Sequence, residues 1–119
     1  PAVVPAYRGM VVEVPLHLGA MPHELTPDLL RAALQEFYAG SSIIAVGDRD
    51  QAPDELVLRC EDPASDAMSL FVFGNEGGYH ARLIAVFDNL GKGASGAAIQ
   101  SLNLMCGLLE TTGLLLPEN

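Results

Sequence analysis

The amino-acid sequence predicts an α+β domain, a mixed or antiparallel sheet with a helix packed on one face. Three observations predict it. Residues 10–18 alternate with the period of a strand, a capped apolar stripe follows Thr26, and two apolar runs flank a glycine-rich connection at 74–78. The resulting order is strand, helix, strand, strand, strand, strand, without an internal repeat or low-complexity segment.

In the first strand Met10, Val12, Val14, Leu16 and Leu18 share one face, with Glu13, Pro15 and His17 on the other. Pro15 has no N–H for a ladder, so this strand is expected to have a free edge there. After a loop over 19–25, Thr26 suits the N-cap, Pro27 the first helical position and Asp28 the positive end of the helix dipole. Leu29, Leu30, Ala33, Leu34 and Phe37 form the predicted buried stripe, and Gly40 is the expected stop.

A short strand over 43–46 comes next, then an acidic stretch. Asp48, Asp50, Asp54, Glu55, Glu61, Asp62 and Asp66 read either as a calcium loop or as a solvated surface loop. The stretch lacks the Asp-x-Asp-x-Asp-Gly run and closing Glu of an EF-hand, which favours the surface loop. Residues 56–60 are expected to form a strand inside it. The runs 68–73 and 79–87 are predicted as hairpin strands, joined by Gly74-Asn75-Glu76-Gly77-Gly78, whose glycines and Asn supply positive φ angles. Residues 83–87 are apolar on both faces, as in a central strand covered on both sides.

The tail has a different character. Gly91-Lys92-Gly93-Ala94-Ser95-Gly96 leads into a predicted helix over 97–109. Its Ala97, Ala98, Ile99, Leu102, Leu104, Met105, Leu108 and Leu109 cover most of the circumference. Such a helix requires burial on several sides, more than one small sheet with its own helix offers.

The 119 residues suit one domain, and the 50% apolar content is enough for a core and argues against intrinsic disorder. Six Lys and Arg against 15 Asp and Glu give a formal net charge of −9, which argues against nucleic acid or anionic lipid as the main partner. The longest apolar stretch is broken by Gln100, Asn103, Gly107 and Glu110, so no membrane span is predicted. The chain begins at Pro1 with neither Met nor signal peptide and is expected to be a piece of something larger.

Candidate chemistry is sparse. Gly91-x-Gly93-x-x-Gly96 has the dinucleotide spacing, but too little chain follows for the second parallel strand, and Glu110 has no strand beneath it. Two readings stand: helix N-terminal N–H groups with Lys92 beside them receive an anion or a cofactor amide, or the glycines let a helix pack close to a sheet. Arg8, at the mouth of the first strand, reads either as a clamp for a carboxylate or phosphate or as a surface ion pair. His17, His23 and His80 lack metal spacing and read as surface or loop residues. Cys60 and Cys106 suit two reduced, mostly buried thiols, with neither a disulfide framework nor a zinc site. No metal site is predicted.

The run Asp88-Asn89-Leu90-Gly91-Lys92-Gly93-Ala94-Ser95-Gly96-Ala97-Ala98-Ile99-Gln100-Ser101-Leu102-Asn103-Leu104-Met105 closely resembles the C-terminal signature of the N-acetyl-γ-glutamyl-phosphate reductase family. Tyr7-Arg8-Gly9-Met10, Val12-Glu13-Val14-Pro15-Leu16 and Phe37-Tyr38-Ala39-Gly40 resemble it at family-like spacings. Phe71-Val72-Phe73-Gly74-Asn75 resembles the shorter class of these enzymes.

The resemblance implies part of an NADPH-dependent reductase that converts N-acetylglutamyl 5-phosphate to the 5-semialdehyde in arginine biosynthesis. A Cys thiolate attacks the acyl carbon and expels phosphate, and hydride reduces the thioester. In the family that Cys and the Rossmann domain precede the matched region, so no catalytic residue is expected here, and neither Cys60 nor Cys106 matches the nucleophile motif. The implied organisation is a substrate and dimerisation domain over 1–87, of the semialdehyde dehydrogenase dimerisation-domain type. A cofactor-proximal loop and terminal helix over 88–119 would pack on the absent N-terminal NADP-binding domain. By position, Asn89, Lys92, Gly93 and Ala94 would lie beside the nicotinamide, and Arg8, with Tyr7, would face the anionic groups of the acyl phosphate.

One departure stands out. Many members read Pro-His where this chain has Pro1-Ala2, and Ala2 cannot supply an acid–base group. The expected protein is cytoplasmic, self-associates as a homo-oligomer, and is inactive as this segment alone. The alternative is a stand-alone, non-catalytic α+β domain that binds a small anionic metabolite and covers its own terminal helix. Aspartate-semialdehyde and glyceraldehyde-phosphate dehydrogenases share the two-step chemistry, but the Leu-Gly-Lys-Gly-Ala-Ser block suits them less well.

Overall fold

In a computed structural model of the chain, which describes residues 6–21, 24–48, 63–75 and 77–117, the alternating N-terminal segment is strand β1 (Met10–His17). The capped segment is helix α1 (Pro27–Phe37), and β2 (Ile44–Val46) follows it. The hairpin runs are β3 (Met68–Gly74) and β4 (His80–Phe87). The four strands form one sheet in the order β1-β4-β3-β2. β4 pairs antiparallel with both β1 and β3, while β2 runs parallel to β3, so the sheet is mixed and the α+β class holds. The expected strand at 56–60 lies outside the described residues. β1 is an edge strand, which is where Pro15 is tolerated.

Directly paired residues share a face. Val12, Ala85 and Leu70 form one row, and Val14, Leu83 and Val72 the next. Helix α1 lies over this face, where Leu34 joins Val12, Val14, Leu70, Leu83 and Ala85 around an apolar recess. Gly74 is required for the same contact, because a Cβ there would stand 2.3 Å from Cγ of Pro27. Val72 and Ala81 are the best buried residues, each 2% exposed. Across the other face Arg82 donates to both Glu13 carboxylate oxygens, at 2.5 and 2.6 Å, in an exposed pair.

The helix obeys its signals at both ends. Thr26 Oγ1 accepts from the Leu29 N–H at 3.2 Å, and Gly40 turns the chain afterwards with φ of +79°. The predicted stripe is only partly buried, however. Leu30 and Leu34 are half-buried, but Leu29 and Phe37 are 54% and 78% exposed. Arg31 is buried instead, donating through Nη2 to the Val72 carbonyl and through Nη1 to Asp28. The rotation that brings this guanidinium to the Val72 carbonyl turns the Leu29–Phe37 row outward. β4 is internal in the ladder as expected, yet of residues 83–87 only Ile84 is buried. Leu83, Ala85 and Phe87 stand on the α1 face, where the helix lies against β3 and β2 and leaves the β1–β4 half partly open.

The hairpin turn is held by Asn75, whose Oδ1 accepts from the His80 N–H at 3.0 Å, and by Gly78 with φ of +67°. At the C-terminal end a π-helical turn, Gly91–Ser95, runs into helix α2 (Gly96–Met105). The helix stops short of the predicted Leu109. Gly107 adopts φ of +68°, and the N–H groups of Gly107 and Leu108 bond back to the carbonyls of Leu104 and Asn103, which is the Schellman arrangement.

Leu102, Leu104 and Met105 are 57%, 59% and 85% exposed, and Leu109 is 80% exposed, so the described residues leave this side of the apolar helix uncovered. Cys106 at its C-cap is exposed for the same reason, against the expectation of a buried thiol; Cys60 lies outside the described residues. Among the described residues no helix is long and apolar enough to cross a membrane.

Two substitutions check the α1 contact by urea unfolding. Gly74→Ala forces a methyl group into the Pro27 ring and is expected to lower stability by about 1–3 kcal/mol. Thr26→Ala removes the cap and is expected to cost about 1 kcal/mol.

Candidate functional site

Strand β4 ends at Phe87, and the next residue is a carboxylate that is only 7% exposed. Asp88 Oδ1 accepts from the Leu90 N–H at 2.8 Å, as an acid placed just before a helical segment does. Its Oδ2 accepts from Arg8 Nη1 at 2.7 Å and from the Ser65 N–H at 3.3 Å. Burial by itself would raise the Asp88 pKa. Hydrogen bonds from Leu90, Arg8, Gly91 and Ser65 together outweigh it and hold the carboxyl below its ordinary value. Beside this contact the Gly9 N–H donates to Asn89 Oδ1 at 2.9 Å, so Arg8-Gly9 is clasped to Asp88-Asn89 by two bonds. Gly9 itself takes φ of +106°, which brings the chain from this clasp into β1.

The glycine pattern serves close approach. A Cβ on Gly91 would lie 2.3 Å from the Ser65 carbonyl oxygen, and one on Gly96 would lie 2.0 Å from Asp66 Oδ1. Several N–H groups at the start of the turn already have protein acceptors. Leu90 donates to Asp88, Lys92 to the Ser65 carbonyl at 3.3 Å and Gly93 to the Asp88 carbonyl at 2.9 Å. The close-packing reading therefore describes Gly91 and Gly96, whereas Gly93 and Ala94 are exposed. The Lys92 ammonium donates to Gln100 Oε1, and Gln100 in turn donates to Glu110.

Asp66 departs from the sequence expectation. It belongs in sequence to the acidic stretch expected to be a solvated loop, yet it is 5% exposed and exchanges two hydrogen bonds with Leu115. Asn103, 5% exposed, holds the carbonyls of Glu110 and Thr112, so residues after α2 fold back toward the 65–66 loop. A recess of about 230 Å³ opens between these segments, walled by Arg8, Ser65, Ser69, Val86, Asp88 and Pro117.

The structure brings Tyr7 and Arg8 to the start of the 88–96 segment that holds Asn89, Lys92, Gly93 and Ala94. The ion-pair reading of Arg8 holds, with Asp88 as partner, and its side chain remains 34% exposed at the recess. Tyr7 is 79% exposed, with the Arg8 guanidinium 5.9 Å from its ring centre. His17 and His80 meet edge to face at the paired ends of β1 and β4, away from these residues in the register; His23 lies outside the described residues. Among the described residues no three His, Cys, Asp or Glu side chains group as metal ligands. Sequence reasoning did not single out Asp88, Ser65 or Asp66. Asp88 carried a usable signal, an acid between a strand and a helix, whereas the other two depend on contacts distant in sequence.

No family model matches the chain. Among curated proteins, the N-acetyl-gamma-glutamyl-phosphate reductase of Rhizobium meliloti is 45% identical over 106 residues, 88% of this chain and 34% of that protein. The reductase of the same name from Sinorhizobium fredii is 46% identical over 105 residues, and that from Brucella anthropi 45% over 103. The chain is a partial match to the N-acetyl-γ-glutamyl-phosphate reductases. It spans about a third of the length of the curated relatives it matches, which fits a C-terminal portion.

Two measurements probe the site. Gly91→Ala places a methyl group against the fixed Ser65 carbonyl and is expected to destabilise the chain by about 1–3 kcal/mol, read by thermal or urea unfolding. Asp88 has a lowered pKa in the folded state, so its ionised form stabilises the fold above the ordinary carboxylate range, and that contribution is lost as pH falls through the folded value. The stability difference between wild type and Asp88→Asn should therefore be constant near neutral pH and shrink steadily in acid.

Proposed function

We propose that this chain is the C-terminal portion of an NADPH-dependent reductase that converts N-acetylglutamyl 5-phosphate to N-acetylglutamate 5-semialdehyde. The observation that carries the reading is the 45% identity over 106 residues to a reductase of that name, with the matched chain bringing Arg8 and the 88–96 segment together. Residues 1–87 serve as the substrate and dimerisation domain, and 88–119 as the cofactor-proximal loop and helix that packs on an N-terminal NADP-binding domain. The exposed apolar residues of α2 support that docking, because a face of Leu102, Leu104 and Met105 left in water favours association. The whole protein is cytoplasmic and works as a homo-oligomer.

Arg8 binds an anionic group of the acyl phosphate. One of its N–H groups is held by Asp88, while the remaining guanidinium donors and the partial exposure at the recess leave it able to grip a second oxygen. The Tyr7 ring lies beside it, 5.9 Å from the guanidinium carbon. Gly93 and Ala94 present little side chain, so a flat ring approaches this backbone without obstruction, and a Cβ on Gly93 would press on the Phe87 ring at 3.1 Å. These two residues, with Asn89 and Lys92, would hold the nicotinamide end of NADPH. When bound, that group supplies the hydride. The nucleophilic Cys belongs to the N-terminal part; Cys106, at the exposed end of α2, has no catalytic role.

The test compares the 119-residue chain with the longer protein that carries it, following NADPH oxidation with N-acetylglutamyl phosphate. The longer protein is expected to turn over and the chain alone to be inactive. In the longer protein Arg8→Ala is expected to raise the KM for the acyl phosphate at least tenfold. Turnover by the chain alone would overturn the placement of the nucleophile, and an unchanged KM would overturn the role of Arg8.

A further inference from the structure

Four hydrogen bonds meet at the clasp between residues 8–9 and 88–90, and three of them end on a single buried carboxylate. Asp88 joins three segments that are distant in the chain: Arg8 before β1, Ser65 before β3, and the turn that begins at Leu90. Its Oδ1 faces the turn and its Oδ2 faces Arg8 and Ser65, so one rigid group of two oxygens sets both directions at once. A charged acceptor strengthens each of these bonds relative to a neutral one. At 7% exposure, water competes weakly for them.

Arg8, by contrast, would be a long flexible cation at a chain bend beside Gly9 if it had no such partner. The turn would likewise lose the acceptor for its first N–H groups. Lys92 adds a second link in the same direction, since its N–H reaches the carbonyl of Ser65, the residue whose own N–H reaches Asp88.

We infer that Asp88 is a positioning residue: its carboxylate fixes the Arg8 guanidinium and the turn at 90–93 relative to one another. The substrate anion held by Arg8 and the cofactor group held over Gly93-Ala94 then meet at a set separation. This role rests on the functional reading given above, although the mechanical coupling between the two segments does not. Reacting groups gain most of their rate advantage from being held in a narrow geometry, so a small slackening at this carboxylate reaches both binding steps. Both carboxylate oxygens of Asp88 are taken by donors of the protein itself. The residue acts through Arg8 on one side and through the Leu90 and Gly91 backbone on the other.

The coupling is tested first on the 119-residue chain by amide hydrogen exchange. Asp88→Asn keeps the shape and removes the charge. It should speed exchange at Leu90–Gly93 at least tenfold while β3 and β4 amides stay within twofold. Arg8→Met leaves Asp88 in place and should speed exchange at Leu90–Gly93 at least threefold, although residue 8 makes no bond to that turn.

In the longer protein, Asp88→Asn should raise the KM for the acyl phosphate and for NADPH about tenfold each, and Arg8→Met should raise the KM for NADPH as well as that for the acyl phosphate. A residue that only maintained the fold would reduce the amount of active protein and its apparent kcat, leaving both KM values unchanged. Exchange that rises uniformly across the sheet, or KM values for NADPH unchanged in both variants, would overturn the inference. If the wild-type longer protein does not reduce the acyl phosphate, the functional reading fails, and the exchange of Leu90–Gly93 in Arg8→Met still decides the coupling.

Discussion

The arrangement of this chain depends on one buried carboxylate at the end of its central strand. Asp88 is the point where the sheet hands over to the helical tail, and its hydrogen bonds favour the carboxylate in a place where burial alone would favour the neutral acid. A buried charge of this kind is stable only while every partner is present. That requirement ties the Arg8 bend, the 65–66 loop and the turn at 90–93 to the same atom group. The glycines of the tail are a consequence. Gly91 and Gly96 have no side chain because the loop beside Asp88 occupies the space where a Cβ would go.

A second constraint comes from what the chain leaves uncovered. Half of its residues are apolar, yet the best-covered part of the sheet is small, with Val72 and Ala81 at its centre. The α1 helix shields β2 and β3, while α2 contributes little to that core. The apolar residues of α2 and of the segment after it remain in solvent, held in place by Asn103 and Asp66 instead of by a hydrophobic layer. Polar clips of this sort can set the path of a segment without burying its apolar face. Among the described residues the apolar helix thus has a defined path without a cover, and the chain spans about a third of the length of the curated relatives it matches.

Much of the fold was legible in the sequence, and the failures have physical causes. Alternation over β1 and the Thr26-Pro27-Asp28 start of α1 are local signals that hold, and the Gly74–Gly78 connection joins β3 to β4 as expected, although Gly78 alone of its described residues takes positive φ. The buried stripe of α1 is narrower than its periodicity predicts, because periodicity cannot see that Arg31 has a backbone carbonyl waiting for it at Val72. The far end of α2 was overextended because apolar content ran on past Gly107, whose left-handed conformation ends the helix. The acidic neighbours of Asp66 point to a solvated loop, but its partner, Leu115, lies 49 residues away and no local pattern shows it. At the site, resemblance singled out Arg8 and the 89–94 residues, but the carboxylate that unites them carried only a weak local mark.

By itself the sequence determined the element types, the free edge at Pro15, the acidic character and the partial likeness to a reductase, because each follows from local spacing, composition or identity. Only the tertiary structure decided the strand order, the rotation of α1 around Arg31, and the meeting of Arg8 with Asp88 across 80 residues of chain. Pairings of that range are chosen by the burial of a charge and the close approach of backbones in three dimensions. No periodicity along the chain encodes either one.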